Sequence, residues 1–195
     1  MDENEKNQLI NVALEYLRLG FSLIPSRNKV PALPSWKEYQ SRKPTNEEIK
    51  KWFSDSRNQI SLVCGRVSKG LIALNFHNKD KRFVEAVFHT SFDELLRTTW
   101  VAETPYGYYI YFLYQEGTRN MQFKNIRTYI ASEGGLVVSP PSVTEDGRYV
   151  NLSKPIDIMS VEAVAMKKLL DSLRLLDNYF KTLNATDYSS IEQFI

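Results

Sequence analysis

Residues 108–114, Tyr-Tyr-Ile-Tyr-Phe-Leu-Tyr, contain no charge and no turn former. An unbroken run of aromatic and branched residues reads as a strand. A strand this apolar needs a core against at least one face, so the chain must build a sheet. Alternation puts Tyr109, Tyr111 and Leu113 on one face and Tyr108, Ile110, Phe112 and Tyr114 on the other. With one face given to the core, Tyr109 and Tyr111 are the rings expected to stay free to stack on bases.

Further short strands are expected over 21–25 (ended by Pro25), 60–64, 71–76, 100–102, 126–130, 136–138 and 148–152. Glycine- and proline-bearing turns separate several of them, at 65–70, 132–135, 140–141 and 145–147. Residues 26–44 read as a long loop. Helical spacing marks 4–19, where Leu9, Val12, Ala13, Tyr16 and Leu17 recur before Gly20. Thr45 and Glu48 have the spacing of a capping box ahead of Ile49, Trp52 and Phe53. A helix is expected over 80–97, and a last one capped by Ser160 with Leu169, Leu173, Leu176 and Phe180 on its apolar stripe. The residues from about 184 read as a polar tail or a short second helix. This order gives an α+β fold with a mixed or antiparallel sheet flanked by helices. It divides into a domain over 1–157 and a C-terminal helix and tail over 158–195.

Composition narrows the chemistry. Cys64 is the only cysteine, so an intrachain disulfide and a thiolate-built zinc or iron–sulfur site are excluded. The formal charge is +2, too small to announce nucleic-acid binding, although a local basic face can sit on a near-neutral protein. No apolar run is long enough to span a bilayer, and the start MDENEKNQLI lacks the features of a signal peptide. The expected setting is cytoplasmic, with no membrane partner.

Four segments, in order, carry a resemblance. The first runs over 13–40, with Leu23-Ile24-Pro25, Lys29-x-Pro31 and Trp36-Lys37. The second is Gly65-x-x-Ser68-x-Gly70-Leu71, leading into a strand. The third is Thr104-Pro105-Tyr106-Gly107-Tyr108-Tyr109. The fourth is Glu133-Gly134-Gly135 through Pro140-Pro141-Ser142 to Asp146-Gly147-Arg148-Tyr149. Together they resemble the prim-pol domain (bifunctional DNA primase/polymerase, N-terminal) of the archaeo-eukaryotic primase superfamily, in its archaeal plasmid and virus form. The resemblance implies an RRM-like sheet flanked by helices, and an enzyme that makes and extends primers with magnesium or manganese.

Such an enzyme holds its metals on carboxylates. The resemblance places an Asp-x-Asp/Glu pair at Asn75 and His77, a phosphate-facing histidine at Tyr109 and a third carboxylate at Tyr129. None of the four keeps the family's residue, so no catalytic residue and no cofactor are expected. The reading is a non-catalytic accessory or binding protein in DNA replication. Its partners would be single-stranded or primer–template DNA and an active primase, polymerase or helicase subunit. Lys29, Arg66, Lys69, Tyr109, Tyr111, Arg127 and Arg148 are the candidate binding residues. Two alternatives stay open. One is an active enzyme whose metal site is rearranged around Glu133, Asp80 or Asp93, with His77 and Glu133 as metal candidates. The other is a module that only binds other proteins.

Overall fold

The computed structural model describes residues 3–183, with the side chains of residues 3–6 and 183 left aside. The chain runs α1 (Glu3–Arg18), β1 (Ser22–Arg27), β2 (Val30–Pro31), α2 (Asn46–Phe53), β3 (Gln59–Val63) and β4 (Leu71–Phe76). It continues through α3 (Lys81–Phe88), α4 (Phe92–Thr98), β5 (Val101–Thr104), β6 (Gly107–Leu113), β7 (Met121–Phe123), β8 (Thr128–Ala131) and β9 (Leu136–Val138). The short strands β10 (Val143–Thr144), β11 (Gly147–Arg148) and β12 (Val150–Asn151) precede α5 (Ala163–Leu183). The fold is α+β, as expected, and every pairing between strands is antiparallel.

Three sheets form: a four-stranded one in the order β2-β1-β3-β9, a six-stranded one in the order β12-β5-β6-β4-β8-β7, and the β10–β11 hairpin. The six-stranded sheet is covered on both faces, which explains the unbroken apolar run of β6. On one face Ile72, Leu74, Phe76, Ile110 and Phe112 meet Phe83, Val87, Phe92 and Leu95 of α3 and α4 and Leu169, Leu173 and Phe180 of α5. On the other, Leu71, Ala73 and Tyr111 meet Leu23, Ile60 and Leu62 of the second sheet, with Ala13, Tyr16, Ile49 and Phe53 from α1 and α2. Trp100 sits fully buried in that second core. Its ring stacks on Tyr111 at 3.8 Å between centroids, and its indole N–H donates to Asn151 Oδ1 at 2.8 Å.

Several local expectations are corrected. β1 does not stop at Pro25 but runs to Arg27. The Pro25 carbonyl accepts from Ala32 N, so the backbone edge that lacks an N–H faces β2 rather than the ladder to β3. The 26–44 segment is not all loop: β2 closes a hairpin on β1, and residues 37–40 form a 3₁₀ turn. The helix expected over 80–97 is two helices. His89 adopts left-handed backbone at the end of α3, and Ser91 caps α4 by accepting from Glu94 N. Ser160 bridges to Leu113 instead of capping α5, whose first turn begins with Met166 N donating to Glu162 O. The polar stretch from 184 onward lies outside the described residues. Among the described residues, no helix is long and apolar enough to cross a membrane.

Candidate functional site

β4 carries the site because it lies between β6 and β8. The register sets Asn75 opposite Tyr109 on one side and opposite Tyr129 on the other. Three positions far apart in sequence thus form one row across the sheet, facing the four-stranded sheet. They line a cavity of about 190 Å³ together with Lys29, Ser61, Val138 and Tyr149. β4 can end here because Gly107 lets two backbones meet. A Cβ at Gly107 would lie 2.0 Å from the Phe76 carbonyl oxygen, closer than any side chain tolerates.

His77 follows directly. Its backbone N–H donates to the Arg127 carbonyl, and its Nε2 lies 3.0 Å from Asn75 Nδ2. One hydrogen bond joins the two groups, its direction set by the His77 tautomer and the Asn75 amide orientation. Desolvation of the ring, with Lys29 and Arg127 nearby, lowers the His77 pKa below its usual range and keeps the ring neutral at neutral pH. Asn75 Oδ1 is buried with no hydrogen-bond partner.

The rim is built from two turns and one ring. Asn28 and Lys29 both have positive φ, at 46° and 70°, and form the two-residue turn of the β1–β2 hairpin. Asn28 Nδ2 donates to Glu145, and Lys29 pairs with Asp146, so this turn is clasped to the β10–β11 turn. Tyr106 lies between the Lys29 ammonium, 4.9 Å from its ring centroid, and the His77 ring, stacked at 5.3 Å. Hydrogen bonds from Lys29 and Tyr106 hold the Asp146 carboxyl below the usual carboxylate range. Deeper in, burial raises the phenol pKa of Tyr109 and of Tyr129, and pushes that of Tyr149 up to about 12. These hydroxyls stay protonated.

The seven candidate binding residues do not form one patch. Lys29 and Tyr109 line the cavity, and Arg127 borders it through His77. Arg66 and Lys69 sit in the turn before Leu71, four residues back along β4 and roughly 13 Å away at strand rise. Arg148 lines a different cleft. Tyr111 is fully buried against Trp100, so the expectation that its ring is free is overturned. Tyr109 is almost as deeply buried, at 6% exposure, although it lines the cavity. Tyr149 and Asp146, which sequence reasoning did not assign to the site, belong to it. The signals for them were the Glu145-Asp146-Gly147 turn and their place in the fourth resembling segment.

The residues present do not fit a hard divalent cation. An amide, a neutral imidazole and two protonated phenols supply no negative charge, whereas magnesium and manganese need anionic oxygens. Glu133 does not complete the row. It sits beside Gly65, and its carboxylate accepts from Arg66 N at 3.1 Å, at the far end of β4. Asp80 caps α3 and pairs with Arg82, and Asp93 lies exposed in the first turn of α4. Among the described residues, no group of three or more His, Cys, Asp or Glu side chains could hold a metal ion.

A family model described as Prim-Pol, bifunctional DNA primase/polymerase, N-terminal, matches residues 13–165. No curated protein matches the chain.

Proposed function

The chain belongs to the Prim-Pol family of bifunctional DNA primase/polymerase N-terminal domains, and from that premise we propose that it serves DNA replication by binding rather than by nucleotidyl transfer. The observation that carries this reading is the row Tyr109–Asn75–Tyr129, with His77 beside it. Where the sequence resemblance asks for metal-holding carboxylates, the row is neutral. Two-metal transfer of a nucleotidyl group has no ligand set there.

What the site keeps is suited to holding a strand. Arg127 brings positive charge to the cavity rim, Lys29 adds an ammonium paired with Asp146, and Tyr106, packed against Lys29 and His77, remains 44% exposed. Cations draw the phosphates of a strand whatever its sequence. The protein would then place single-stranded or primer–template DNA beside an active primase, polymerase or helicase subunit. The archaeal plasmid and virus form of the family, which the sequence resemblance implies, is part of the same proposal.

The test is fluorescence anisotropy of a short labelled single strand, titrated across a salt series. Lys29→Ala and Arg127→Ala should each weaken binding several-fold and lower the slope of log K against log salt by about 0.7, the value for one lost phosphate contact to a single strand. Affinity that neither substitution changes, or no binding even at low salt, would remove the basis for the proposal.

A further inference from the structure

A second cleft, of about 190 Å³, opens where the start of β3 meets α1 and the β10–β11 hairpin. It shares no lining residue with the cavity around Asn75. Its floor is Gln59, only 8% exposed. The Gln59 amide is fixed in one orientation because its Nε2 donates to the Val143 carbonyl at 2.8 Å, and the flipped amide would set two oxygens against each other. That bond leaves Gln59 Oε1 buried with no partner. An orphaned acceptor of this kind is uncommon, and a buried water or the N–H or O–H of a ligand would satisfy it.

The walls ask for two more properties. Arg148, opposite Val143 in the hairpin, lines the cleft and has no ion-pair partner among the described residues. Arg57 lines it too. Arg27 and Arg57 both pair with Asp55, so that group of three keeps a net positive charge. The hairpin's own carboxylates are turned away, Glu145 to Asn28 and Asp146 to Lys29. The cleft is therefore positive at its rim and should favour an anion. Leu9, Pro141 and Val143 add apolar walls, and Val143 stays 50% exposed. An anionic group, a hydrogen-bond donor and an apolar body occur together in one nucleotide unit. We infer that this cleft binds a single nucleotide unit, with phosphate toward Arg148 and Arg57 and a base or sugar donor on Gln59 Oε1. The ligand is a free nucleotide or one unit of a strand. The site is separate from the Asn75 cavity and stands whether or not that cavity binds DNA.

Deoxyadenosine 5′-monophosphate and a short single-stranded oligonucleotide serve as probes, each titrated into the isotope-labelled full chain and followed by amide chemical shifts. Saturable shifts centred on Gln59, Val143 and Arg148 are expected with at least one probe. Arg148→Gln, an exposed position that should not disturb folding, should weaken that binding about tenfold, and Gln59→Leu by a similar factor if it folds. Arg97→Ala, exposed on α4 and remote from both cavities, should leave it unchanged. Response to the mononucleotide alone identifies the free form as the ligand, and response to the oligonucleotide alone identifies the strand. The inference is overturned if neither probe gives saturable shifts at this cleft, or if binding persists undiminished in Arg148→Gln. It is equally overturned if the saturable shifts centre on Asn75 and Tyr129 instead, because the ligand then occupies the other cavity.

Discussion

Replacing Tyr111 with Ala separates a core residue from a base-stacking one. The Tyr111 ring is fully buried, stacks on Trp100 at 3.8 Å and meets Tyr109 edge-on at 5.8 Å. It sits in β6, whose neighbours β4 and β5 fix its backbone on both sides, so the void left by the ring cannot collapse. Truncating a large aromatic ring in such a place costs about 3–5 kcal/mol. For a domain of this size, each kcal/mol lowers the melting temperature by roughly 2–4 °C, so the expected fall is roughly 6–20 °C. Urea unfolding followed by tryptophan fluorescence gives the same quantity as a shift in midpoint at constant slope. Tyr111→Phe is the control. The hydroxyl has only a weak 3.4 Å contact with Ser139 Oγ, so its loss should stay within about 1 kcal/mol. A Tyr111→Ala variant destabilised by less than about 1 kcal/mol, yet weakened in DNA binding, would refute the core assignment.

Gly107→Ala should destabilise the fold by about 3 kcal/mol or more in the same urea assay, because the added Cβ meets the Phe76 carbonyl and the Asn78 backbone and forces β4 and β6 apart; a near-neutral result would contradict that close approach. Glu48 accepts from Arg42 and Tyr39, and chiefly the Arg42 bonds lower its pKa to about 2. A folded pKa below the unfolded one stabilises the protein above about pH 4.5 and is lost as pH falls from there toward 2. After allowing for solvent screening, Glu48→Gln should remove on the order of 1 kcal/mol at neutral pH and flatten the acid limb of stability against pH; an unchanged limb would show that the pair contributes nothing. Asn75→Asp combined with His77→Asp should create manganese binding measurable by calorimetry where the parent chain shows none, since the two side chains lie within 3.0 Å of each other.

Much of the fold could be read from local pattern. The capping box at Thr45 and Glu48, the strands at Leu71–Phe76 and Leu136–Val138 and the long amphipathic helices follow from propensity and period. The errors arose where tertiary contacts decide the outcome. β6 reads as a strand with one free face, but a second sheet covers that face, and nothing within residues 108–114 announces it. Pro25 reads as a stop, yet its missing N–H faces the side on which the ladder to β3 is not made. The break at His89 had a visible signal, the Ser91 and Glu94 capping spacing, hidden by the apolar residues on either side.

The site was legible residue by residue but not as an assembly. Asn75, Tyr109 and Tyr129 were singled out by resemblance, and strand register makes them neighbours. Register also separates Arg66, Lys69 and Glu133 from them, although the chain brings Arg66 and Glu133 together. Clustering of the basic residues depended on which strand ends meet, and charge counts carry no such information. Arg148 shows this best, since the β10–β11 hairpin turns it to a cleft of its own.

Primer synthesis and extension by the purified chain tests the central claim most directly. The assay uses a single-stranded template and labelled nucleotides, with magnesium and manganese supplied separately and an active prim-pol enzyme as positive control. The account predicts no incorporation with either metal from a folded sample that still binds the template. Template-dependent incorporation that disappears in Asn75→Ala or Glu133→Ala would contradict it.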